Sequence, residues 1–243
     1  MAVKRIPPPP FVRDRPVIQR VEDDETVDRA KRRRAGSNVD VSDVLFLGVA
    51  GETESKLRRR LVEAAVAFER ERFADAHTLL KSINRLAPGV PEVHELMGLS
   101  LYRQGKWQQA IRELETFESL TGTVEQHPVI ADCHRARKEW SKVEEKWHEL
   151  GAHSPSAELI EEGRIVLAGS LADQGRTKDA SRLLEEAPKA PKKPRPHHLR
   201  RWYALADLYE RAGDPKRARR LFLELERLEP GMGDVASRIR QLK

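Results

Sequence analysis

The chain has 243 residues, of which 39% are hydrophobic and 35% are charged, and its formal net charge is +6. This composition is polar for a compact enzyme, but it suits a protein of stacked repeats that bury only the faces shared with their neighbours. The sequence has no apolar run long enough to span a membrane and no signal-peptide core, and its single cysteine excludes an internal disulfide framework, so we expect a cytoplasmic protein.

Residues 1–38 predict a disordered, proline-rich and basic tail. They contain four consecutive prolines, Pro7–Pro10, and few large apolar side chains that could offset the entropy of ordering. The tail also contains a basic run made of Lys31, Arg32, Arg33 and Arg34. Such a run is either a solvated part of the tail or a contact for an acidic protein, RNA or a membrane surface.

Residues 39–53 form a short segment rich in valine and leucine that contains Gly48 and Gly51. The segment is too short to cross a membrane, and the end of a repeat stack must be covered. We therefore expect it to cap the first helical hairpin. The alternative is a peptide that docks on a partner or in this protein's own groove.

From about residue 54 the sequence is helical in pattern and repeats with a period of 34 residues. Three pairs of positions share this offset: Ala64 with Gly98, Phe73 with Trp107, and Ala76 with Ala110. A fixed period of roughly 20–50 residues is typical of repeat proteins. The small residues at these positions, such as Ala76 and Ala110, predict a close approach between the two helices of each hairpin.

The last repeat shows the pattern most completely, with Trp202, Leu205, Ala206, Tyr209, Ala218, Phe222 and Pro230. Their spacing matches W-x2-L-G-x2-Y…A-x3-F…P, except that alanine stands where glycine is commoner. On these residues the chain resembles the tetratricopeptide repeat (TPR) family and, less specifically, an uncharacterised group of TPR proteins from high-GC, actinobacterial-type bacteria. The resemblance implies an all-α fold, a right-handed superhelix (α-solenoid) of about five helix-turn-helix repeats.

The repeats are predicted at about residues 57–90, 91–123, 124–157, 161–187 and 199–232, and the third is degenerate. A proline- and lysine-rich loop at residues 188–198 breaks the period, either as a solvated spacer or as a binding loop. Residues 233–243 predict a C-terminal capping helix. We expect Asp234 to cap this helix and Arg238 to face water.

The sequence contains no recognisable catalytic pattern, such as a phosphate-binding glycine loop or the histidine spacing of zinc proteases. Cys133 and His134 are neighbours, so on a helix they point about 100° apart and are poorly placed to share a metal. We expect Cys133 in the core and the histidines His127, His134, His148, His153, His197 and His198 at the surface. We predict no catalytic residue, no metal and no cofactor.

The resemblance also implies a ligand groove, because the first helices of TPR repeats line a concave surface through five positions of each repeat. In the first repeat these are Arg58, Leu61, Ala65, Phe68 and Glu69. In the second they are Glu92, Glu95, Leu99, Tyr102 and Arg103, and in the fifth Arg200, Tyr203, Asp207, Glu210 and Arg211. Such a mixture of aromatic, apolar and charged side chains would hold an extended peptide or a helix.

The function implied by the resemblance is a non-catalytic scaffold or adaptor that binds another protein or peptide, as a monomer or a homodimer. The alternative is an RNA- or ribosome-associated protein. Its phosphate contacts would be the basic run in the tail and the 189–201 stretch, which includes Lys192, Lys193 and Arg195. Such contacts weaken steeply as salt is raised.

Overall fold

The computed structural model describes residues 44, 46–49, 51–154, 156–187 and 191–242. The predicted tail with its basic run Lys31–Arg34 lies outside these ranges, as do residues 39–43 of the capping segment and residues 188–190 of the loop. Over the described ranges the chain forms eleven α-helices and no strand, which confirms the predicted all-α class. The helices divide into an N-terminal unit that ends at Thr123 and a C-terminal unit that begins at Val124.

The N-terminal unit consists of two helical hairpins. They are formed by α1 (Gly51–Glu69) with α2 (Phe73–Asn84) and by α3 (Pro91–Arg103) with α4 (Trp107–Thr121). Proline at the start of α3 suits the first helical turn, where its missing N–H costs nothing. Gly105 lies in the turn to α4 with a φ of 71°, a conformation that side chains disfavour.

The C-terminal unit consists of three hairpins and a terminal helix. The hairpins are α5 (His127–Ala136) with α6 (Trp140–His153), α7 (Ala157–Asp173) with α8 (Thr177–Glu185), and α9 (Pro196–Arg211) with α10 (Pro215–Leu228); α11 (Val235–Gln241) follows. Helix α7 packs against both α5 and α9, so the first helices of the three hairpins are neighbours. Helix α11 packs against α10.

Small residues permit the close approaches within both units. A Cβ atom added to Gly98 of α3 would lie 2.5 Å from Cγ and Cδ2 of Leu114 in α4. Gly163 of α7 makes an equally close approach to Leu150 of α6. These contacts support the sequence argument that small side chains mark where packed helices meet.

Helix α9 begins at Pro196 rather than at residue 199, so His197 and His198 belong to the helix and not to the predicted loop. The ring of His198 accepts a hydrogen bond at Nδ1 from the backbone N–H of Arg195, 3.0 Å away, which satisfies a donor at the helix start. His197 stacks on His198 with the ring centroids 4.0 Å apart, and it is buried.

The expected exposure of three histidines is therefore wrong, because His127 and His134 are buried as well as His197. His134 retains a polar partner, since its Nδ1 lies 2.7 Å from Oε2 of Glu139. The expected core position of Cys133 is confirmed: the side chain is fully buried, and burial raises the pKa of its thiol. Within the described ranges, no helix is both long enough and apolar enough to cross a membrane.

Candidate functional site

Most of the predicted groove positions of the N-terminal unit lie inside the structure. Six of the ten are buried: Leu61, Ala65, Phe68, Glu95, Leu99 and Tyr102. The other four, Arg58, Glu69, Glu92 and Arg103, are exposed or half-buried. Helices α1 and α3 therefore offer a ligand few of the side chains that the repeat pattern assigns to it.

Two arginines of this group lie over aromatic rings. The Arg58 guanidinium is 5.4 Å from the centroid of the buried Phe46, which belongs to the predicted capping segment. The Arg103 guanidinium is 4.4 Å from the centroid of Phe73 and 3.3 Å from a carboxylate oxygen of Glu71. Cation–π contacts of this kind fix the direction of long side chains at a partly exposed edge.

The predicted groove positions of the last repeat lie together on one side of α9. Arg200, Tyr203, Asp207, Glu210 and Arg211 follow helical spacing, so their side chains share a face, and all five are half-buried. We call the surface formed by α5, α7 and α9, with α7 in the middle, the first-helix face. It is the part of the described chain where the predicted contact residues are both clustered and accessible.

Helix α11 reaches the first-helix face through Arg238. Its guanidinium donates hydrogen bonds of 2.8 Å to Oδ1 of Asp207 and 2.8 Å to Oε2 of Glu210, and it lies 5.1 Å from the ring centroid of Phe222. The prediction that Arg238 faces water is therefore wrong. Although burial opposes the charge, the hydrogen bonds to Asp207 and Glu210 raise the pKa of this guanidinium.

Asp234 also differs from its prediction. It precedes α11, but its side chain makes no capping hydrogen bond to the helix. Instead its Oδ1 accepts a hydrogen bond of 2.7 Å from the hydroxyl of Tyr203, whose ring contacts Phe222 edge-on at 5.9 Å. Burial and then this hydrogen bond raise the pKa of Tyr203. The start of α11 is thus attached to α9 through Tyr203, which was predicted to face the groove, and Asp234, which was predicted to cap α11.

A second ion-pair group crosses the first-helix face from α5 to α7. Arg135 donates to Oδ1 of Asp132 at 2.7 Å and to Oδ2 of Asp173 at 3.0 Å. Arg211 of α9 extends the group, with Nη2 3.9 Å from Oδ1 of Asp173. Gly169 makes room for the side chain of Arg135, because a Cβ atom at position 169 would lie 3.1 Å from Nη1 of Arg135. A larger residue at 169 would push Arg135 away from α7.

A cavity of about 70 Å³ lies between the two ion-pair groups. It is lined by the apolar side chains of Ile165, Val166, Ala204 and Leu208 and by charged residues of both groups. A small apolar pocket with paired arginines and carboxylates around it can accommodate a small apolar group.

The 189–201 stretch has fewer exposed cations in the structure than the sequence predicted. Arg200 is paired with Glu162 and, at 3.4 Å, with Glu158, while Arg201 is buried and 3.0 Å from Glu161. These pairs join α9 to α7. The exposed cations of the described loop are Lys192, Lys193 and Arg195.

Sequence reasoning missed Asp132, Arg135, Asp173 and Arg238 as parts of this face. The first three belong to helices whose repeats are degenerate or only partly matched, so the repeat positions could not be transferred onto them. Arg238 was missed because a charged residue in an amphipathic helix is ordinarily exposed. The signal that could have found it is the pair of carboxylates, Asp207 and Glu210, one helical turn apart on α9, which a nearby cation must balance if they are to be half-buried.

The protein-family model described as "Tetratricopeptide repeat" matches residues 61–118 and 165–232, together just over half of the chain. No curated protein matches the sequence. Among solved structures, TTC0263, a thermophilic TPR protein in Thermus thermophilus, is 16% identical with a TM-score of 0.58, over 76% of this chain and 98% of that one.

The P58(IPK) TPR domain is 13% identical, with a TM-score of 0.35 over 78% of this chain and 65% of that one. At these identities the likeness to TTC0263 concerns the fold alone. The match to the repeat model covers most of the first two hairpins and of the last two, and the contact of Gly98 with Leu114 lies within it. The chain therefore belongs to the tetratricopeptide repeat family.

Proposed function

We propose that this protein is a non-catalytic scaffold or adaptor that binds a peptide or a helix of another protein on the first-helix face of its C-terminal unit. TPR folds are generally protein–protein interaction modules. The observation that carries the proposal is the cluster of five half-buried groove residues on α9, beside a small apolar cavity. Aromatic and arginine side chains around such a pocket are the residue types that contribute most to binding energy in protein interfaces.

The face favours a segment of protein over a small metabolite. The half-exposed Tyr203 offers an aromatic surface, the cavity accepts a small apolar side chain, and Arg200 and Arg211 lie on the same side of α9. Acidic and basic groups both lie on this side of the helix, which suits a partner with charges of both signs. We further propose a cytoplasmic protein, either monomeric or homodimeric, and a kinship with TPR proteins of high-GC bacteria.

The competing proposal is binding to RNA or ribosomes through basic segments. The exposed positions of Lys192, Lys193 and Arg195 favour it, whereas the carboxylate partners of Arg200 and Arg201 reduce the positive charge available in this stretch. The two proposals differ in salt dependence. Each phosphate contact made by a cation releases counterions, so RNA binding falls steeply with salt, while a mixed groove is affected much less.

Affinity capture from a lysate of the source organism tests the proposal with the full chain and three variants. Ala204→Trp fills the cavity of the first-helix face, and Ala74→Trp adds the same side chain at an exposed site on α2. The third variant replaces the loop cations Lys192, Lys193 and Arg195 by alanine.

We expect one or a few proteins to remain bound at moderate salt with wild type, with Ala74→Trp and with the loop variant, and to be lost with Ala204→Trp. Retention by Ala204→Trp would contradict the assignment of the face. A cargo of RNA or ribosomal protein that is lost with the loop variant or with salt would establish the competing proposal instead.

A further inference from the structure

The side of α9 that faces α11 carries a binding site for a guanidinium group, which is formed by Asp207, Glu210 and Phe222 and which we call the cradle. Asp207 and Glu210 lie one helical turn apart, and each accepts a hydrogen bond of 2.8 Å from Arg238. The guanidinium carbon of Arg238 lies over the ring of Phe222, 5.1 Å from the ring centroid. A planar cation held by two carboxylates over an aromatic ring is the arrangement in which arginine binds more strongly than lysine.

The cation in this cradle comes from the most weakly attached helix of the unit. Helix α11 has seven residues, of which only Val235 is fully buried, while Ile239 and Leu242 are partly buried against the core. Helices of this length are not stable alone in water, so α11 depends on these few contacts. The cradle is different, because Asp207, Glu210 and Phe222 belong to the hairpin of α9 and α10 and not to α11.

The first-helix face around the cradle has an excess of acidic groups. Apart from α11, its two ion-pair groups contain the carboxylates of Asp132, Asp173, Asp207 and Glu210 against two arginines, Arg135 and Arg211. Without Arg238 the face is therefore negatively charged, and a partner that covers it must bring positive charge.

Asp207 has unused capacity for such a partner. Its Oδ1 accepts from Arg238, whereas its Oδ2 is buried and accepts no hydrogen bond from any residue that the structure describes. A buried acceptor without a partner destabilises a folded protein, and a guanidinium can satisfy both oxygens of one carboxylate through parallel hydrogen bonds. Once Arg238 leaves, an arginine of a partner could make both bonds.

We propose that this cradle is a receptor site for an arginine side chain of a partner protein, and that Arg238 of α11 fills it when the partner is absent. The proposal rests on the proposed function and specifies the chemistry of the bound segment. That segment carries an arginine for the cradle and a small apolar residue for the neighbouring cavity lined by Ile165, Val166 and Leu208. Binding of the partner displaces Arg238, so α11 competes with the ligand.

The test uses a fluorescent peptide with the sequence of residues 233–242 as the probe, added to full-length protein and followed by fluorescence anisotropy. Arg238→Ala empties the cradle, and Val235→Ser in the same chain weakens the hold of α11. Arg240→Ala is the matched control, since it removes an exposed arginine of the same helix. A second peptide has alanine in place of the residue that corresponds to Arg238.

We expect the peptide to bind the Val235→Ser/Arg238→Ala chain about tenfold more tightly than wild type or Arg240→Ala, as expected for one charge-assisted contact. The alanine peptide should lose this gain, and so should a chain that also carries Asp207→Asn. Asp179→Asn, at an ion pair on α8, should not affect it.

Equal binding of both peptides, or no gain in a double variant that retains its helical circular dichroism, would overturn the arginine site. If the double variant loses helicity, the Arg238→Ala chain must show the same order of affinities for the proposal to stand. The two proposals fail separately. Loss of a captured protein with Ala204→Trp but no peptide binding removes the arginine site alone, while specific peptide binding without any such protein removes the adaptor function alone.

Discussion

The two units use the same repeat positions in different ways. In the N-terminal unit the predicted groove positions Leu99 and Tyr102 of α3 are buried, and Tyr102 packs edge-on against Trp107 at 5.5 Å. In the C-terminal unit the corresponding positions are Asp207 and Glu210, which are half-buried and hold Arg238. A repeat position therefore fixes where a side chain points, whereas the residue type decides whether it stabilises the fold or offers a contact.

The largest effect that would test this comparison is expected at residue 99. Leu99→Ala removes a fully buried side chain and should lower the free energy of unfolding by about 2–5 kcal/mol. Asp207→Asn, at the corresponding position of the last repeat, should cost only about 1 kcal/mol because Arg238 keeps its bond to Glu210.

Urea unfolding followed by circular dichroism measures both effects, and Leu223→Ala at an exposed site on α10 serves as the control. Equal losses at positions 99 and 207 would contradict the distinction between the two units.

Smaller effects on the free energy of unfolding are expected when Gly98 and Gly151, whose surroundings differ, are each replaced by alanine. Gly98→Ala places a methyl group 2.5 Å from Leu114, so we expect a loss of about 1–3 kcal/mol through overpacking. Gly151→Ala lies within α6, where nothing is within 4 Å of the new atom, and should stabilise the protein by about 0.5–1 kcal/mol. Thermal melting of the two variants beside wild type compares them. A destabilised Gly151→Ala would show that helix propensity does not decide the outcome there.

The smallest effect concerns a buried histidine of the N-terminal unit. Nδ1 of His94 is 2.8 Å from Oε2 of Glu113, and Nε2 is 2.9 Å from the carbonyl oxygen of Pro88. The hydrogen bond to Glu113 is the main cause that raises the pKa of His94 above its ordinary value of 6.5, against the effect of burial. Both acceptors favour the doubly protonated ring, which joins α3 to α4 and to the preceding loop.

Because this pKa is higher in the folded state, the stabilisation is complete below about pH 6.5 and is lost as the pH rises through the raised value. The difference in unfolding free energy between wild type and His94→Gln should therefore be larger at about pH 5.5 than at about pH 9. Taking the difference cancels the opposite contribution of His77, whose pKa is lowered by burial. A difference that grows with pH would contradict the assigned sign.

The sequence was sufficient for the fold and for part of the face. The 34-residue offsets and the small residues predicted the hairpins, and Gly98 shows why, since its missing side chain is what Leu114 requires. The clustering of five half-buried positions on one side of α9 followed from the same register. Arg238 was not predicted from the repeat register, because its partners lie 28 and 31 residues away, on another helix. His134 was misjudged, since a polar side chain can be buried when a hydrogen bond satisfies it.

The most direct test of the central claim is site-specific photo-cross-linking in cells of the source organism. A photoreactive amino acid is placed at Arg211, which lies on the first-helix face, or at Leu223, which is 44% exposed on α10. Mass spectrometry identifies the linked proteins. We expect a specific partner to be linked from position 211 and not from position 223. Linkage of the same partner from 223 and not from 211 would contradict binding at the first-helix face.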